Sequence, residues 1–251
     1  MNVTSLYVLS IIFVATLIRS AFGFGEALVA VPLLAFCIPL AVAAPLAVLV
    51  SITVAAIVVA QDWKKIHIQS AGWLLLASLF GIPLGLLLLT SSHQRAAKGT
   101  LAVIILLFAI YSLFGHQATG RVPLELQQDH RGWLIVSGFF AGVLGGAYGM
   151  NGPPLVIYGA MRRWSAPHFR ATLQGYFLPA SIIGMGGYWV AGLWTHTVTH
   201  YYLLSLPVAL VGVFLGRAIN HRLHGNTFYK YLYFGLGIIG VLLLLQATGS
   251  L

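Results

Sequence analysis

Long apolar runs alternate with short polar stretches along this chain, and run length predicts the elements. A helix that crosses the hydrocarbon of a bilayer needs roughly 20 apolar residues. Eight runs approach or exceed that length: Ser5–Phe36, Leu40–Ala60, Ala71–Thr90, Gly99–Phe114, Gly132–Met161, Phe169–Leu193, Tyr201–Ile219 and Tyr231–Gln246. They divide four and four, which predicts a first repeat over residues 1–115, a connecting loop at 116–131 and a second repeat over 132–251. The opening run of each half is interrupted, by Gly23 and Gly25 in the first and by the stretch Gly145–Pro154 in the second. Such residues free backbone N–H and C=O groups, which a bilayer tolerates only where they face protein or a water-filled cavity. Two interruptions at matching places are the sequence mark of a transporter site built from repeats. The predicted fold class is an all-α integral membrane protein of eight hydrophobic segments in two four-segment repeats, the first segment of each broken or re-entrant at midmembrane.

The repeat holds in two registers. Gly23 matches Gly149 at an offset of 126, whereas Gly81 and Gly85 match Gly212 and Gly216 at 131, as His93 matches His224. About five residues are therefore added in the second half, around Trp194 to His200. The Gly-x3-Gly pairs read as small-residue helix contacts, with a packing role.

Composition agrees with a membrane protein, since 59% of residues are hydrophobic and 7% charged, with a mean hydropathy of +0.94. A soluble domain carries roughly 25% charged residues. The net charge of +9 comes from basic residues between apolar runs, a positive-inside pattern that excludes a nucleic-acid patch. If all eight segments cross, the Lys and Arg residues other than Arg19 split eight against four. If each interrupted segment is a re-entrant hairpin, ten lie on one side and only Arg95 and Lys98 on the other. The second split fits the positive-inside rule better, and it makes the halves inverted repeats with both termini outside the cytoplasm. Length agrees, because the 32 residues of Ser5–Phe36 would span roughly 48 Å as one straight helix, against a hydrocarbon core of roughly 30 Å. A steeply tilted or kinked crossing is the alternative.

The run Gly23-Phe24-Gly25-Glu26-Ala27-Leu28-Val29-Ala30-Val31-Pro32-Leu33-Leu34 resembles the glycine-rich signature of the sulfite exporter TauE/SafE family of bacterial membrane permeases. The stretch from Gly142 through Gly149, Asn151 and Gly152 to Leu155 is similar, as is the placing of the paired glycines. In this chain Glu26 stands where the family usually has glycine, and Asn151 with Pro153 and Pro154 replaces much of the second glycine run. The resemblance implies a multi-pass protein of the bacterial cytoplasmic (inner) membrane. It also implies export or uptake of small sulfur-containing or organic anions such as sulfite, sulfoacetate or related sulfonates.

Anion chemistry follows from the interruptions independently. A helix that begins at midmembrane offers unpaired N–H groups and the positive end of its dipole, which suit an oxyanion. Substrate-binding candidates are Gly23, Gly25, Glu26, Gly149, Asn151, Gly152, Arg170 and Gln174. Arg170 and Gln174 share a helical face at i, i+4, so a guanidinium fork and an amide could hold a sulfonate; Arg170 equally fits the basic cluster of Arg162 and Arg163. Arg19 and Glu26 are seven residues apart beside the first interruption. They read either as a structural ion pair or with Glu26 as a proton-coupling carboxylate.

Other chemistry is poorly supported. The nine histidines fall at segment ends or in loops, with no third ligand beside His196 and His200 or His221 and His224, so no metal and no cofactor are predicted. Cys37 is the single cysteine, which excludes an intrachain disulfide. The alternative class is an intramembrane enzyme, a protease or lipid-modifying transferase, but none of Ser20, Ser51, Ser78, Ser137, Ser181 and Ser205 has a Gly-x-Ser-x-Gly context and no histidine shares their depth. Met1 to Ile18 lacks a basic n-region and reads as a first membrane segment. The expected partners are a small anion, the lipid bilayer and coupling protons, and the glycine-rich faces permit a homodimer.

Overall fold

The structure is a computed structural model. It describes the backbone of residues 3–62, 68–91, 93–118, 131–161, 166–220 and 226–248, and their side chains except at 22, 61–70, 114–131, 160–171 and 220–236. Every element among the described residues is helical: α1 Val3–Phe22, α2 Glu26–Cys37, α3 Leu40–Asp62, α4 Ile68–Ser91, α5 Gln94–Ala118, α6 Arg131–Tyr148, α7 Gly152–Met161, α8 Ala166–Val190, α9 His196–Asn220 and α10 Asn226–Thr248. Five of them contain stretches long and apolar enough to cross a membrane: Val3–Ala21, Leu40–Ala60, Ala71–Ser91, Gln94–Leu113 and His196–Ile219. Large apolar side chains such as Phe80, Leu107, Trp189 and Phe214 are exposed, as expected of a lipid-facing surface.

The helices run past the apolar runs. α5 begins at Gln94 rather than Gly99, α9 at His196 rather than Tyr201, and α10 at Asn226 rather than Tyr231. Hydropathy marks only the part within hydrocarbon, whereas backbone hydrogen bonding continues into the interfacial region. α8 has 25 residues against 23 in α3, Gly212 sits deeper in α9 than Gly81 does in α4, and the stretch from Trp194 to His200 runs into the first turn of α9.

Glycine seams fix which helices meet. A Cβ on Gly81 would lie 2.1 Å from the Phe139 carbonyl oxygen, and one on Gly85 2.0 Å from that of Val143. From the other side, Gly142 faces Ser78 and Gly146 faces Ile82. α4 and α6 therefore run in the same direction with backbones in direct contact, as small residues allow. α9 packs on α1 in the same sense, Gly212 against Phe13 and Thr16 and Gly216 against Leu17 and Ser20. α8 also runs with α4, since Tyr176 bonds Ser78 and Gly187 meets Leu86. α5 and α10 run in opposite directions: Lys98 donates to Gln246 at 3.1 Å near one end, while Ala109 meets Gly237 farther along.

Candidate functional site

The two interruptions are places where the chain leaves α-helical geometry at glycine. Gly23 ends α1 with φ 87°, Gly25 stands just before α2 with φ 97°, and Gly149 follows α6 with φ 67°. Side chains rarely tolerate that left-handed region, and glycine enters it without a Cβ clash.

Both interruptions line one cavity of about 30 Å³. Arg19, Gly25, Glu26 and Ser51 come from the first half, and Gly149, Asn151, Gly152 and Phe177 from the second. Such a volume has room for ordered water.

Arg19, near the end of α1, is the hub of the site. Its Nη1 donates to Glu26 Oε2 at 2.5 Å and to the Ser51 hydroxyl, and its Nη2 donates to Gln174 Oε1 at 3.3 Å. The guanidinium carbon lies 5.2 Å from the centroid of the Phe177 ring, a cation–π distance. Four helices thus converge on one cation. Arg19 and Glu26 side chains are 4% and 1% exposed, and a buried charge pair of this kind requires its hydrogen bonds to persist.

A second polar chain runs from the other interruption. Asn151 Nδ2 donates to Tyr176 at 3.3 Å, and the Tyr176 and Ser78 hydroxyls are 2.7 Å apart. Ser78 reaches the Leu74 and Gly138 carbonyls, both at 2.8 Å. This chain ties Asn151 to the α4–α6 seam.

The two helix starts differ in what they can donate. α2 opens with Gly25, Glu26, Ala27 and Leu28, and no side chain caps it, so its first N–H groups face the cavity end without a side-chain acceptor. α7 opens Gly152-Pro153-Pro154, and proline has no N–H. Its dipole remains, but two of its first four N–H groups are missing. α2 thus opens with more N–H groups than α7.

Of the candidate residues, Gly25, Glu26, Gly149, Asn151 and Gly152 stand on the cavity wall together with Arg19. Gly23 and Gln174 lie behind it: Gln174 Nε2 donates to the Gly23 carbonyl at 2.8 Å while its other end accepts from Arg19. Both ends of that amide are held by protein. Arg170 lies in α8, but its side chain falls outside the described residues. Ser51 and Phe177 were not singled out as site residues, because a serine or a phenylalanine inside an apolar run carries no signal of what it faces. Among the described residues, no group of three or more His, Cys, Asp or Glu is placed to hold a metal ion, and His93, His196 and His200 are exposed. Cys37 is exposed at the end of α2.

The model of the family described as "Sulfite exporter TauE/SafE" matches residues 8–243, which include every element that bounds the cavity. The chain belongs to this family. Over 191 residues it is 25% identical to the "Probable sulfite/organosulfonate exporter TauE" of Cupriavidus necator, a match covering 75% of this chain and 71% of that protein. No solved structure matches the chain significantly. TauE/SafE is a multi-pass family of membrane transporters, and both stretches that carry the glycine-rich resemblance contribute to the cavity wall.

Proposed function

We propose that this TauE/SafE member is a secondary transporter, and specifically an exporter, of small sulfur-containing or organic anions such as sulfite, sulfoacetate or other sulfonates. It resides in the bacterial inner membrane and works by alternating access at the cavity between the two interruptions. The observation that carries this reading is the cavity itself, where a buried arginine and the uncapped start of α2 converge with the second interruption. A guanidinium fork and helix N–H groups are the donors that tetrahedral oxyanions need. The organosulfonate named for the Cupriavidus necator relative supports the substrate class.

The mechanism rests on an inverted repeat. α5 and α10 hold the same place in their halves and run in opposite directions, which such a repeat requires. The α4–α6 and α9–α1 seams are the same pairing with the halves exchanged. That α6 and α8 both run with α4 supports a return of the chain between them, as in a re-entrant pair α6–α7. The ten-to-two charge count agrees with two such hairpins. Rocking one half on the other would then open the cavity to each side in turn.

Purified protein in proteoliposomes, offered labelled sulfite, sulfoacetate, taurine, sulfate and acetate with and without a pH gradient, tests the proposal. Saturable movement of a sulfur oxyanion, lost in Arg19→Met, is the expected result. Equal movement of the panel in protein-free vesicles, or none with protein, would end it.

A further inference from the structure

We infer that Glu26 is a tethered anion that keeps the substrate's place on Arg19, so that each substrate anion binds together with one proton. The inference rests on the anion site proposed above. Among the described residues, Arg19 and Glu26 are the only charged ones on the cavity wall. Arg19 has its Nη donors committed to Glu26, Ser51 and Gln174, whereas its Nε and the Glu26 Oε1 atom have no hydrogen-bond partner. An oxyanion that takes the Nη1 donors of the guanidinium does so by displacing the carboxylate.

Among the described residues, the displaced carboxylate then has no second cation to turn to. Around the pair, α1 supplies Arg19, α3 supplies Ser51, α8 supplies Gln174 and Phe177, and the second interruption supplies Asn151. Two buried anions a few ångströms apart do not both stay ionised. Glu26 therefore accepts a proton from water on whichever side the site faces, forming an O–H bond on a carboxylate oxygen. It returns that proton when the anion leaves and the ion pair reforms. The site is then neutral in both states, Arg19 balanced by Glu26 when empty and by a monoanion beside protonated Glu26 when loaded. A carrier that moves through a low-dielectric barrier both loaded and empty needs that balance, since unpaired charge there is costly.

Methanesulfonate, singly charged across the accessible pH range, is a suitable probe. Titration calorimetry of the purified full chain in two buffers of different ionisation heat counts the protons taken up. Wild-type protein should take up about one proton per anion, with affinity falling up to about ten-fold per pH unit on the alkaline side. Glu26→Gln should bind more tightly, with no proton uptake and a flat pH profile. Wild-type binding without proton uptake, or unchanged uptake in Glu26→Gln, overturns the inference and leaves the anion site standing. Absence of methanesulfonate, sulfite and sulfoacetate binding to wild-type protein overturns the anion site and the inference together. The wild-type proton count decides the matter even if the variant fails to fold.

Discussion

One substitution made at three glycines separates close packing from helix propensity. Gly72 and Gly81 lie on the same helix, α4, and differ in what a methyl group would meet. Nothing lies within 4 Å of a Cβ on Gly72, whereas one on Gly81 would sit 2.1 Å from the Phe139 carbonyl oxygen and 2.7 Å from the Val143 nitrogen. Those neighbours are backbone, so no rotamer change relieves the overlap, and α4 and α6 must move apart along a seam that also holds Gly85, Gly142 and Gly146. Overpacking of a tight interface costs roughly 1–3 kcal/mol, while Gly→Ala in an unobstructed helix gains up to about 1 kcal/mol. The signs are therefore opposite on one helix. For a chain of this length each kcal/mol moves the melting temperature by roughly 2–4 °C, so Gly81→Ala should melt lower than Gly72→Ala by on the order of 5–10 °C. Gly212→Ala, the repeat equivalent, meets its neighbours only at 3.3 Å and should fall between the two. Thermal unfolding in detergent, followed by the onset of aggregation, reads all three. Equal stability of Gly81→Ala and Gly72→Ala would refute the seam.

Three further outcomes are expected. Arg19→Met and Glu26→Gln should each destabilise by roughly 3–5 kcal/mol, because each strands a buried partner, and the double variant should lose no more than the worse single; additive losses in a double-mutant cycle would show that the pair is not coupled. Gly25→Val, forced into φ 97°, should abolish anion transport with membrane insertion intact, whereas Gly152→Val, whose nearest neighbour is a Phe177 ring atom at 4.0 Å, should retain part of it; equal activity of both in a proteoliposome flux assay would separate the left-handed turn from function. In a Cys37→Ala background, single cysteines at Lys65 and Arg162 should label from the same side and one at Arg95 from the other; labelling of Arg162 with Arg95 would replace the two hairpins by eight full crossings.

Much of this molecule is legible one segment at a time. Apolar run length sets where helices lie, because each helix satisfies its own backbone hydrogen bonds within lipid and needs no neighbour to do so. The interruptions at Gly23–Gly25 and Gly149–Asn151 are legible for the same local reason, since backbone geometry at φ 67–97° depends on the residue that occupies it. The family resemblance lies in those stretches too. Even the two prolines that strip α7 of donors are plain in the sequence once the helix start is fixed at Gly152.

What the sequence leaves open is everything set by contact between segments far apart in the chain. Gln174 lies 155 residues from Arg19 and Ser51 lies 32 away, and no local pattern states that both turn to one guanidinium. Gln174 is singled out by its helical spacing from Arg170, and only the fold shows its amide meeting Arg19 and the Gly23 carbonyl. Helix pairing is of the same kind: Gly81 and Gly85 announce a close contact, yet only the packed structure matches them to α6 and matches Gly212 and Gly216 to α1. In lipid the apolar surface of one helix is nearly equivalent to that of another, so hydropathy cannot select partners; backbone approach at glycine and a few buried hydrogen bonds do. Those are properties of matched surfaces, and they exist only once the helices are assembled.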